Sequence, residues 1–149
     1  MKKLPNILLA LSYAGLIAAC ETRPADPAPI TPPGSSHHKL SGTSWVWEAG
    51  LAKNPVIEFK ANGHLGGYSG CNQIGGVFEE SAEIKDGRHR LGISEVISTQ
   101  MACSSGMKIE QDFIQAINAS ESFNKLSADD LILYDKGGNE ILRLKRQTN

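Results

Sequence analysis

The sequence predicts an α+β domain that is mostly antiparallel β, a small twisted sheet or partial barrel with one packed helix. Three observations carry this. From Leu40 onward, short apolar runs are split by the turn signals Asn62-Gly63, Asp86-Gly87 and Lys136-Gly137-Gly138-Asn139, each flanked by strand-forming residues in the manner of a hairpin. Thirteen of the 15 glycines, all but Gly15 and Gly34, lie after residue 40, which suits tight turns and bulges. A single segment departs from this texture, with Phe113, Ile114 and Ile117 at helical spacing.

Taken in order, Ser44–Glu48 alternates and sets Trp45 and Trp47 on one face. Val56–Lys60 is β-branched and aromatic, and Ala61-Asn62-Gly63-His64 turns it into His64–Ser69. Gly75–Glu79 forms a further strand, and Glu83–Lys85 with Arg90–Ile93 flank Asp86-Gly87. Ser104 or Ser105 caps a helix over about 106–119. Leu131–Tyr134 and Glu140–Lys145 close the chain as a third hairpin.

Ahead of this domain the texture is different. Lys2 and Lys3 precede an apolar run from Ile7 to Ala19, and Leu16-Ile17-Ala18-Ala19 leads into Cys20. The run is shorter than the roughly 18 to 20 residues of a spanning helix, and its layout is that of a secretory signal with a cysteine at the cleavage site. It resembles a bacterial lipoprotein signal, which implies diacylation of Cys20, cleavage before it and acylation of the new amine. An ordinary signal peptide and a transmembrane helix are the alternatives. Residues 1–19 are thus expected as signal peptide, 20–39 as lipidated cysteine and tether, and 40–149 as the folded domain. The tether holds five of the 7 prolines, at positions 24, 27, 29, 32 and 33, and reads as an extended polyproline-like spacer. His37-His38 lacks a third ligand and reads as linker, so neither metal nor cofactor is expected.

Without Lys2 and Lys3, 13 Lys and Arg face 16 Asp and Glu, a net charge near −3. Such a chain has no electrostatic footprint for nucleic acid, and its membrane partner would be engaged through acyl chains. With Cys20 acylated, Cys71 and Cys103 remain. An even pair in an exported domain reads as a disulfide, closing a loop worth roughly 3.5 to 4 kcal/mol. The alternative is a reactive thiol, but no histidine neighbours either cysteine in sequence and the pair is not Cys-x-x-Cys.

Several fragments occur in a telling order: Leu40-x-Gly42-Thr43-x-Trp45, Phe59-x-x-x-Gly63, Gly70-Cys71-Asn72, Ser98-Thr99-Gln100-Met101-Ala102-Cys103, Met107 with Glu110-x-x-Phe113-Ile114, and Leu131-x-Leu133-Tyr134-Asp135-x-x-Gly138. Together they resemble the META domain family, which includes the HslJ-like heat-shock-induced lipoproteins, over about residues 40–145. The resemblance implies a small mixed sheet with an embedded helix and an association with envelope stress and drug tolerance.

Candidate site residues follow from the same stretches. Glu110 shares a helical face with Phe113, Ile114 and Ile117, so it is expected to point toward the core and to need partners. Asn72, Thr99 and backbone amides near the two cysteines are the candidates, with Met101 beside them. Ser105-x-x-Lys108 matches a motif of penicillin-recognising enzymes, but the companion motifs are absent from the sequence. Gly67-Tyr68-Ser69-Gly70 lacks the spacing of a nucleophile elbow. The leading expectation is therefore a non-enzymatic outer-membrane lipoprotein that binds a protein or small envelope component in stress. Glu21 follows the lipidated cysteine where an aspartate would resemble an inner-membrane retention signal; the inner membrane and the cell surface stay open as alternatives. Two other functions are also open: an inhibitor of a foreign hydrolase such as lysozyme, and an envelope enzyme using Glu110 or a free cysteine.

Overall fold

The structure, a computed structural model, describes residues 39–148. The expected signal peptide, Cys20 and the tether up to residue 38 lie outside the described residues. The elements run β1 (Thr43–Val46), β2 (Val56–Phe59), β3 (His64–Tyr68), β4 (Gln73–Lys85), β5 (Arg88–Ser98), α1 (Met107–Ala119), β6 (Ser122–Lys125), β7 (Asp130–Tyr134) and β8 (Glu140–Arg146). The antiparallel strands and the one helix match expectation, but the sheet does not stay open. Each strand pairs with its neighbour in sequence, and β8 returns to β1 through Trp45↔Arg146 and Val46↔Lys145, closing an eight-stranded barrel.

All three turn signals form hairpins, with Phe59↔Leu65 before the first, Lys85↔Arg88 across the second and Tyr134↔Glu140 across the third. The strands around Asp86-Gly87 are longer than the sequence suggests, each a single bent ribbon rather than separate pieces. The bend has a local cause. Gly75 pairs with Ile97 and Val77 with Ser94, so Gly76 faces two residues, Glu95 and Val96. Glu95 adopts φ 54° at this bulge, and a bulge of this kind sharpens strand twist and curvature. Curvature of the longest hairpin brings the first and last strands within reach of each other.

β5 and β6 pair only through His89↔Phe123 and Arg90↔Ser122. Between them α1 carries the chain back by about 20 Å, so β6 joins the beginning of β5 rather than its end. The helix inserts Phe113 and Ile117, both fully buried, into a core shared with Trp45, Phe59, Leu65, Phe123, Leu131 and Leu133. Trp47 stacks on Phe113 with ring centroids 5.8 Å apart, and Phe59 meets Phe78 edge-on at 4.9 Å. Both tryptophans thus serve the core, as their shared face predicts. The short β6, Ser-Phe-Asn-Lys, was not expected: it is too brief and too polar to show a strand period.

The entry to the barrel is tied down. The Glu80 carboxylate accepts hydrogen bonds from the backbone N–H of Leu40 (2.7 Å) and Ser41 (3.2 Å), and Leu40 is fully buried. Trp45 donates through Nε1 to Thr43 Oγ1 at 2.6 Å, and Lys125 and Arg146 lie over its ring at 5.7 and 5.3 Å. Burial lowers the Lys125 pKa, with Arg146 adding to the effect and Glu80 opposing it.

Candidate functional site

At the end of β3 the chain turns sharply. Ser69 accepts from the Asn72 N–H through Oγ at 3.3 Å, while its own N–H and hydroxyl both donate to the Asn72 carbonyl at 2.9 Å. This turn presents Gly70-Cys71-Asn72 to the segment that leaves β5, residues 99–106. Gly106 (φ 90°) presses its backbone against Gly70, and a Cβ there would stand 2.5 Å from the Gly70 carbonyl oxygen. Only glycine fits both that conformation and that approach.

Asn72 is 5% exposed and uses every polar position it has. Its Oδ1 accepts from the Met101 N–H at 2.7 Å and from the Thr99 hydroxyl at 2.9 Å. Its Nδ2 donates to Glu110 Oε2 at 2.9 Å and to the Met101 carbonyl at 3.3 Å. A backbone N–H can only donate, so the orientation of the amide is settled by Met101. Thr99 Oγ1 in turn accepts from the Gln73 N–H at 3.1 Å. The Cys71–Cys103 disulfide joins the same two segments, with Cα atoms 5.9 Å apart.

The structure therefore gathers Asn72, Thr99, Met101, Glu110 and the cysteine pair into one corner. Three details differ from expectation. Glu110 is half-buried at the first turn of α1 rather than inside the core, with its carboxylate turned to Asn72. Thr99 reaches Glu110 through Asn72, not directly. Ser104 and Ser105 do not cap the helix: Gly106 is the N-cap and no side chain bonds there. The disulfide and the Gly70–Gly106 contact place the helix start, overriding local cap preference, and the carboxylate of Glu110 near that start suits the positive end of the helix dipole. Sequence reasoning missed Ser69 and the Gly70–Gly106 contact. A serine directly before Gly-Cys-Asn was a faint signal for the first; nothing local marks the second.

The polar groups of the corner bond chiefly to one another. Its amide is saturated, and the Ser69 hydroxyl is spent on the Asn72 backbone. His64 begins β3 at the far end from this turn, and His89 begins β5 far from Ser98. Among the described residues no three His, Cys, Asp or Glu side chains gather closely enough to hold a metal ion. From Glu110 an open groove runs along α1, lined by Met107, Gln111, Ile114, Gln115 and Asn118.

A family model described as the META domain matches residues 35–148. The chain belongs to the META domain family. Among solved structures, this META domain is similar to the NMR structure of a protein from Burkholderia xenovorans, with a TM-score of 0.57 and 22% identity over 85% of this chain and 99% of that one. It is also similar to the crystal structure of a DUF4847 family protein from Bacteroides vulgatus, with a TM-score of 0.50 and 16% identity over 76% of this chain and 96% of that one. At these identities the likeness is one of fold. No curated protein matches the chain. The fragments that resembled the family now have places in the META barrel: Trp45, Phe59, Phe113, Leu131 and Leu133 fill its core, and Asn72 and Glu110 fasten the helix.

Glu110 variants test the fastening. Glu110→Ala leaves the Asn72 donor unsatisfied and should lower the unfolding free energy by about 1 to 3 kcal/mol. Glu110→Gln keeps an acceptor and should cost less than Glu110→Ala or Glu110→Leu. Chemical denaturation of the three proteins side by side gives the ranking, and a Gln variant as weak as the Leu variant would refute the role of the bond.

Proposed function

We propose that this META domain protein is an outer-membrane lipoprotein, held by acyl chains on Cys20, whose barrel binds a protein or small envelope component during stress or drug tolerance without catalysing a reaction. The observation that supports binding over catalysis is the complete mutual pairing of Asn72 around Glu110, Thr99 and Met101. The Asn72 amide and one oxygen of the Glu110 carboxylate serve to hold residues 99–101 and α1 to the barrel. Among the side chains left in solvent beside polar neighbours such as Gln100 and Lys108 are two large apolar ones, Met101 and Met107, which flank Cys103, are 58% and 57% exposed, and are what the corner offers a partner.

The anchor is tested by Cys20→Ser, which should abolish acyl labelling and processing by the lipoprotein peptidase. A mutant that still fractionates as a processed, lipidated membrane protein would show the lipobox reading to be wrong. The binding role is tested by photo-cross-linking from position 101 in intact envelopes. One discrete adduct, lost when Met101 and Met107 are both replaced by Ser in a folded variant, is the expected result. A folded Glu110→Gln protein with normal stability and no stress-tolerance activity would instead establish the carboxylate as a chemical participant.

A further inference from the structure

A second concave surface lies away from that corner, between the start of β5 and the β7–β8 turn. It encloses about 260 Å³ and is lined by Ile84, Arg88, Arg90, Glu121, Asp135 and Lys136, together with the turn glycines. Arg88 and Arg90 are two residues apart on one strand and so project to the same side. His89 between them stacks on Phe123 at 5.4 Å. The Arg88 guanidinium lies over the Tyr134 ring at 5.3 Å from its centroid. It also sits against Gly138 (φ 80°), where a Cβ would stand 2.8 Å from Arg88 Nη1. Tyr134 and Gly138 thus give the guanidinium a flat seat and the space to occupy it.

Seated in this way, Arg88 is half-buried, yet its side chain and that of Arg90 make no ion pair among the described residues. A guanidinium carries five N–H donors in a fork that matches the oxygens of phosphate and carboxylate. The neighbouring acids do not answer that demand. Asp135 is engaged by its own turn, accepting from the Asn139 N–H at 2.8 Å and from Asn139 Nδ2 at 3.0 Å. Those bonds, that of the Asn139 side chain first, hold its pKa below the usual carboxylate range. Glu121 stands where this cleft meets an adjoining one that Arg90 also lines. Three cations therefore share the cleft with two carboxylates, Glu121 and the turn-bound Asp135, which leaves it a positive balance in a chain whose net charge is −1.

We propose that this cleft is an anion-binding site, in which Arg88 and Arg90, assisted by Lys136, grip a phosphate or carboxylate group. The site is separate from the corner around Asn72 and does not depend on what that corner binds. A phosphodiester headgroup, a free phosphate and a carboxylate share the chemistry that the arginine pair recognises.

The test is titration of the full chain, at constant ionic strength, with inorganic phosphate, glycerophosphoglycerol and acetate, followed by the NMR signals of Arg88 Nε–H and the Gly138 amide. At least one of the three should shift both signals saturably. Strongest binding of glycerophosphoglycerol assigns a lipid headgroup, of phosphate a soluble phosphate, and of acetate a carboxylate. Arg88→Gln and the exposed Arg90→Gln should each weaken binding about tenfold, as expected for loss of a charge-assisted hydrogen bond. Glu121→Gln, which removes one of the two opposing charges, should strengthen it. Thermal melts confirm that each variant is folded, and Arg90→Gln serves if Arg88→Gln is not. Signals unmoved by all three anions, or a folded Arg90→Gln protein that binds like the parent, would overturn the proposal.

Discussion

Replacing Phe113 with alanine should cost about 3 to 5 kcal/mol of unfolding free energy, the range for truncating a buried phenylalanine. Phe113 is fully buried, and it is the helix residue on which Trp47 stacks. Its removal opens a cavity at the seam between α1 and the barrel. Urea unfolding followed by tryptophan fluorescence gives the number, and the native-state emission should change as well because Trp47 loses its stacking partner. The half-buried Ile114, truncated in the same way, should cost distinctly less. A Phe113→Ala protein within 1 kcal/mol of the parent, on the scale of an ordinary surface change, would mean that the helix does not pack as described.

Reduction of the Cys71–Cys103 bond should lower stability by about 2 to 5 kcal/mol. The bond spans 32 residues of sequence, so the unfolded chain gains a long loop's freedom when it opens. The native state keeps the four bonds to Asn72, and the barrel should stay folded in mild reductant while its denaturation midpoint falls. Thiol titration of denatured Cys20→Ser protein without reductant should find no free sulfhydryl. Two reactive thiols would refute the bond and return the cysteines to the list of nucleophiles.

Much of this architecture is legible locally. Each hairpin is announced by residues that make a turn at that point whatever the rest of the chain does, and the helix by three apolar residues at 113, 114 and 117. Closure of the barrel is not legible in this way. It depends on curvature accumulated at the Gly76–Glu95 bulge and on strand twist, and the two residue pairs that join β1 to β8 lie about 100 positions apart in sequence. The site divides similarly. Glu110 and Asn72 could be nominated because a helix face and a motif point at them, and the even cysteine count brings residues 71 and 103 together. The helix start could not be read correctly, because the contact that sets it, Gly70 against Gly106, is tertiary. The arginine cleft draws on β5 and the β7–β8 turn, and no spacing rule connects Arg88 to Gly138.

The way the chain enters the barrel has a mechanical meaning. A pull on the polypeptide ahead of Lys39 meets the exposed bond from Lys125 Nζ to the Lys39 carbonyl and then Leu40, an apolar side chain wedged in the core, with its N–H clamped to the Glu80 carboxylate on β4. Tension is handed across to the longest strand of the barrel before it can peel β1 from β2 and β8. Leu40 and Glu80 act as a cleat, so the weak two-pair joint that closes the barrel is shielded from load on its own end of the chain.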